Sequence, residues 1–149
     1  MAPGIPSEAA LNFYLHEGAV FYVQDRGLTS PEPHYFVVLN LSPAKEDILL
    51  LVVSTSQVEG ARRRYAQMPA DTLVEIAPSQ YTGFTKPSLI SCNQVFTKTK
   101  RQLLEQINHG GEQKQRMPQA ILEKLRHGVL ASPTVERHIK KRLEKGNMA

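Results

Sequence analysis

Cysteine occurs once in the 149 residues, at Cys92. A single thiol excludes an internal disulfide and any multi-cysteine metal centre. Long hydrophobic runs are missing as well: no stretch approaches the roughly 18 consecutive apolar residues needed to cross a bilayer. The opening MAPGIPSEAALNFYLHEG has no basic start followed by an apolar block, so it does not read as a secretory signal. The expectation is a cytoplasmic protein without membrane association. Also absent are a phosphate-binding glycine loop, zinc-spaced Cys and His, HExxH and GxSxG. Asp25, Glu46, Asp47 and Glu59 all fall in expected loops, so no carboxylate pair for glycoside chemistry can be argued. Any chemistry would be independent of metal and cofactor, and assembled from isolated polar side chains.

What is present is ordinary in amount and uneven in distribution. Apolar residues make up 41% and charged residues 21%, as in soluble globular proteins, and the length suits one hydrophobic core. The net charge of +4 hides a split. Residues 1–97 hold six Lys/Arg against nine Asp/Glu, whereas residues 98–149 hold twelve against five. One basic cluster, Arg62-Arg63-Arg64, lies outside the basic third. Such a split suggests a polyanionic partner, RNA or DNA; well-solvated basic helices would give the same composition.

The pattern along the chain predicts strands first and helices last. Residues 7–16 suit a short helix, with Ser7 as N-cap and Gly18 as its stop. Residues 19–23 read as a strand, DRGLTSPEP as a turn-rich link, and residues 34–41 and 48–54 as a hairpin so apolar that both strands should be central. Residues 55–68 are polar. Residues 72–77 alternate like a half-exposed strand, PSQYTGFTKPS reads as a loop, and residues 88–92 and 94–97 as short strands parted by Asn93. Helices are expected over 100–108, 118–127 and 134–145, the last with a thin seam of Val135, Ile139 and Leu143 and an i,i+4 pair of Glu136 with Lys140. The predicted class is mainly β with flanking α-helices (α+β): a small antiparallel barrel with a helical C-terminal third. Residues 1–17 would be an N-terminal extension, 18–130 the barrel domain with its helices, and 131–149 a basic C-terminal helix.

One junction stands out. The stretch LLLVVSTSQ (49–57) runs five apolar residues into a cluster of hydroxyls. If residues 34–41 and 48–54 form an antiparallel hairpin, His34 shares a rim with Ser54, Thr55 and Ser56. A histidine can exchange protons near neutral pH or carry charge toward a phosphate, and a threonine hydroxyl can hydrogen-bond a phosphoryl oxygen. Position alone favours a structural His34 and a Thr55 that caps a turn.

HYFVVLN, VVSTSQ and TGFTKPSLISCNQVFTKTKRQL, in that order and spacing, resemble the MazF/PemK family of toxin endoribonucleases. Gly18-Ala19-Val20 is similar to the family's opening of the first strand, and the likeness covers about residues 18–130. The resemblance implies an SH3-like barrel with flanking helices, a homodimer, a small antitoxin protein as partner, and cleavage of single-stranded RNA without metal. In that chemistry the ribose 2′-hydroxyl attacks the neighbouring phosphodiester. Thr55 matches the family's active-site threonine, and His34 stands where arginine is usual. Asn93 and Ser91 replace a carboxylate and an arginine used by some members, and neither does acid–base work at neutral pH. The catalytic burden would therefore fall on His34 and Thr55. Arg26, Ser54, Ser56, Gln57, Lys86 and Asn93 would contact substrate, Arg26 from a first loop lying over the site. The competing expectation is a barrel that has lost catalysis and binds RNA or a protein.

Overall fold

Strands form where apolar and β-branched residues run together, and three such runs build the middle of the molecule: β1 Val20–Val23, β2 His34–Val38 and β3 Ile48–Thr55. The computed structural model describes residues 4–28 and 31–144. Thr29 and Ser30 of the expected turn, and residues 145–149 at the end of the expected last helix, lie outside the described residues. β1 pairs with β2 antiparallel, Val23 opposite His34, and β2 with β3, Phe36 opposite Val53. β4 Leu73–Ile76, β5 Ser88–Ser91, β6 Phe96–Thr99 and β7 Glu112–Lys114 complete a seven-stranded antiparallel sheet. Its order is β4-β5-β3-β2-β1-β7. β3 is long enough to hold two partners on one edge: β6 beside Ile48 to Leu51, and β5 beside Ser54 and Thr55.

The central strands read as continuously apolar because both faces of the sheet are covered. On one face Val37, Leu50 and Val52 meet Leu122, Leu125 and Val129 of α4 (Gln119–Ala131) and Ile139 of α5 (Arg137–Glu144). On the other, Phe36, Val38, Leu49 and Leu51 meet Leu11 of α1 (Glu8–Leu11) and Leu103 and Ile107 of α3 (Lys100–Asn108). A further helix, α2 (Val58–Arg64), follows β3 directly. The fold is therefore α+β, as expected. Its ladders do not close into a barrel: β4 and β7 stand at the two ends. Side chains from the adjoining loops bridge part of the gap. The Tyr81 hydroxyl donates to the Gln115 carbonyl at 2.7 Å, and the Gln115 amide donates to the Thr82 hydroxyl.

Several boundaries differ from the sequence reading. α1 is one turn long, although Ser7 caps it as expected by accepting from the Ala10 amide at 3.1 Å. α2 and β7 were not foreseen, because VEGARRR and EQK carry no apolar periodicity. β6 begins two residues later than the pattern suggests. α4 runs through Gly128 instead of stopping before it: a Cβ there would sit 2.7 Å from the Cys92 sulfur and 2.8 Å from the Asp71 carbonyl. That glycine serves a close approach, not a helix end. The seam Val135, Ile139 and Leu143 joins the core beneath α4, so the final helix packs on the domain. The expected Glu136–Lys140 pair is not formed; Glu136 meets His138 at 3.1 Å, and Lys140 donates to the Ser132 carbonyl.

Candidate active site at the end of the β2–β3 hairpin

The register Phe36 opposite Val53, continued by two residues, brings Thr55 level with His34. Side chains alternate across a strand, so His34 shares its face with Phe36 and Val38, and Thr55 shares its face with Leu51 and Val53. Both therefore belong to the same side of the hairpin, and both line one cleft of about 650 Å³. Ser54, Ser56, Gln57 and Lys86 line it too. Ser54 is buried beneath the rim, and Ser56, Gln57 and Lys86 are exposed along it. The hydroxyl cluster at the end of β3 thus lies where its apolar strand emerges from the core.

His34 is held by its own chain. Its Nδ1 lies 2.9 Å from the Glu32 carbonyl oxygen. A carbonyl only accepts, so Nδ1 is the protonated nitrogen and, in the neutral ring, Nε2 is left as acceptor. Pro33 lies between them, fixing its own φ and restricting Glu32 to extended backbone, which pre-sets that carbonyl. The Thr55 oxygen accepts from the Gln57 amide at 3.1 Å, so its own hydroxyl proton remains for donation. This bond also turns the chain into α2, whose Gly60, Ala61 and Arg64, together with Tyr65 after it, form one wall of the cleft. Lys86 is steadied by the Ser88 hydroxyl, which donates to its carbonyl at 3.1 Å.

Two of the expected site residues lie elsewhere. Arg26 borders a separate cleft of about 590 Å³ with Asp25, Lys98 and Gln106, because the chain directly after β1 is tied to Lys98 of β6 and Gln106 of α3. Burial there pushes the Asp25 carboxyl up, but hydrogen bonds from Lys98, the Gly27 amide and Gln106 outweigh it and hold the group below its ordinary value. Lys98 also sits 5.1 Å from the Phe36 ring centre. Asn93 is buried and its polar atoms are consumed. Its amide donates to the Thr72 hydroxyl at 2.9 Å, its side-chain oxygen accepts from Ser132 at 2.8 Å, and its carbonyl accepts from Thr134 at 2.9 Å. It fastens the segment before α5 to the sheet and cannot reach a substrate in the cleft.

Other cleft residues were not foreseen: Glu32, Arg64, Tyr65, Tyr22, Tyr35, Phe84 and Gln94. Arg64 was visible only as one of three adjacent arginines. Small residues at 60 and 61 followed by Arg64 are the helical spacing that would have singled it out; Arg62 instead pairs with Glu75. Tyr22 and Tyr35 are directly opposed across β1 and β2, a register that the long intervening loop conceals. Cys92 plays no part, since burial pushes its thiol up to about 12.

Among the described residues no group of three or more His, Cys, Asp or Glu is placed to hold a metal ion, and no helix is long and apolar enough to cross a membrane. No protein-family model matches this sequence, and no curated protein matches it either.

Proposed function

We propose that this protein is a toxin-type endoribonuclease of the MazF/PemK kind, built on a divergent, open form of the SH3-like barrel and cutting single-stranded RNA in the cytoplasm without metal. The observation that carries this reading is that His34 and Thr55 share one cleft with the cations Arg64 and Lys86. In the proposed reaction the Nε2 of His34 takes the proton from a ribose 2′-hydroxyl. The 2′-oxygen attacks the adjacent phosphorus, the bond to the 5′-oxygen breaks, and that oxygen takes a proton from water and leaves as a 5′-hydroxyl, while His34 returns its proton to solvent. The other product is a 2′,3′-cyclic phosphate. Thr55 would donate to a phosphoryl oxygen, and Arg64 and Lys86 would balance the charge that builds up there. Ser54, Ser56 and Gln57 would bound the phosphate path.

The sequestered Asn93 favours a second reading. With the side-chain amide consumed by Thr72, Ser91 and Ser132, the cleft keeps the cations and hydroxyls of a phosphate site but not the family's usual acid–base pair, which is the composition of an RNA-binding module. Incubation with long single-stranded RNA in excess chelator separates the two. New 5′-hydroxyl and cyclic-phosphate ends support the nuclease; binding without new ends supports the module. The nuclease reading also brings two protein partners, a second copy of the chain and a small antitoxin. Light scattering tests the first, and a search for a small adjacent reading frame, co-expressed with this chain where one is found, tests the second.

A further inference from the structure

The phosphate chemistry leaves one part of the cleft unused. Tyr22, Tyr35 and Phe84 all line it, and their rings form a connected run. Ring centres are 4.5 Å apart between Tyr22 and Tyr35 and 5.0 Å between Tyr35 and Phe84. Phe84 continues at 4.8 Å to buried Tyr81, whose hydroxyl is anchored on the Gln115 carbonyl. The run is therefore rooted in the core and emerges at half-buried Tyr35 and Tyr22. Its contacts are tilted or edge-to-face, at 42° and 76°, so no parallel sandwich uses up both faces of the outer rings. Lys114 approaches Tyr22 at 5.6 Å and is itself paired with Glu112.

An aromatic stripe at strand spacing is most simply core packing. Phe84 and Tyr81 fit that description, being buried. Tyr35 packs in part on the same core, but it and Tyr22 stop half-buried on the wall of the cleft that holds His34 and Thr55. Every nucleobase has a flat π-face, and stacking on a tyrosine is the interaction that tolerates any base. We infer that the Tyr22–Tyr35 wall is a nucleobase subsite, taking by stacking a base of the single strand whose phosphate lies at His34. This rests on the RNA reading above and extends it. Recognition would be of an unpaired base, since a base within a duplex offers no free face to a cleft wall.

The test uses a short single-stranded oligonucleotide, 2′-O-methylated throughout so that it cannot be cut, and an abasic strand of equal length and charge. Wild type should bind the based strand about 5- to 100-fold more tightly than the abasic strand. Tyr22→Phe, which keeps the ring, should preserve that preference, and Tyr22→Leu should shrink it while leaving abasic binding unchanged. Should Tyr22→Leu fail to fold, wild-type tyrosine emission, unobscured because the chain has no tryptophan, should be quenched by the based strand and not by the abasic one. Equal binding of both strands by wild type overturns the subsite and leaves the phosphate reading intact. Failure of both strands to bind at low salt overturns the RNA reading and the subsite with it.

Discussion

The imidazole of His34 is tied to the carbonyl of Glu32, two residues before it, by a 2.9 Å contact through Nδ1. This relationship assigns the ring's protons. Nitrogen-15 shifts of selectively labelled protein should show neutral His34 protonated at Nδ1 and bare at Nε2. Pro33→Gly should loosen the carbonyl and blur that preference. A predominantly Nε2-protonated ring would remove the nitrogen to which the proposed proton abstraction is assigned.

Replacement of the ring should separate its role from that of its neighbour. His34→Ala should lower RNA cleavage in chelator by about 100- to 10,000-fold, the usual loss for a general acid–base group, with an unchanged circular-dichroism spectrum. Thr55→Ala removes one neutral hydrogen bond and should weaken cleavage by about 0.5–1.5 kcal/mol. A His34→Ala protein as active as its parent would rule out this chemistry.

The cations of the cleft predict a salt response. Binding of an uncut single strand should weaken linearly on a log–log plot of affinity against salt. Arg64→Ala should reduce the slope by about 0.7, the increment for one phosphate contact on a single strand. Arg62→Ala should leave it nearly unchanged, because that guanidinium is already turned toward Glu75. A flat response in the wild type would assign the basic surface to another purpose.

Stability in acid should report on the Asp25–Lys98 pair, which is largely buried. The folded carboxyl titrates below its ordinary value of 3.8. Its stabilisation is therefore complete above the unfolded value and lost as pH falls through the lowered folded one. Asp25→Asn strands Lys98 in the interior and should lower unfolding free energy at pH 7 by about 3–5 kcal/mol. Urea unfolding at a series of pH values should also show a shallower acid dependence for the variant.

The part of the site that could be read from sequence is the part made locally. β2 and β3 are apolar on both faces and joined by a short link, so their pairing, and with it the shared rim of His34 and Thr55, follows from pattern and chain economy. The remainder depends on contacts between distant segments. The loop carrying Arg26 is tied down by Lys98 of β6 and Gln106 of α3, which are more than seventy residues later. Asn93 looked available because, apart from nearby Ser91, its side-chain and backbone partners come from residues 72, 132 and 134. α2 and β7 are polar pieces held in shape by what they pack against, and hydrophobic periodicity is silent about such pieces. Gly128 resembled a helix stop because only the fold reveals that Cys92 lies against it.

β3 has consequences for how the molecule breathes. It is the one strand bonded to β2, β5 and β6 together, so its central amides lie between neighbours on both edges, and the Leu50 amide is further held by the buried side-chain oxygen of Asn40 at 2.6 Å. β7 holds on through β1 alone, over three residues. Native-state hydrogen exchange should therefore find Leu50 and Val52 released only by global unfolding, and β7 by a small local opening. Uniform protection of the two strands would contradict this. His34 and Thr55 would then be mounted on the most slowly exchanging frame in the protein, while the aromatic wall reached through β1 borders its most labile edge. The chemistry is fixed at one end of the cleft and can yield to different strands at the other.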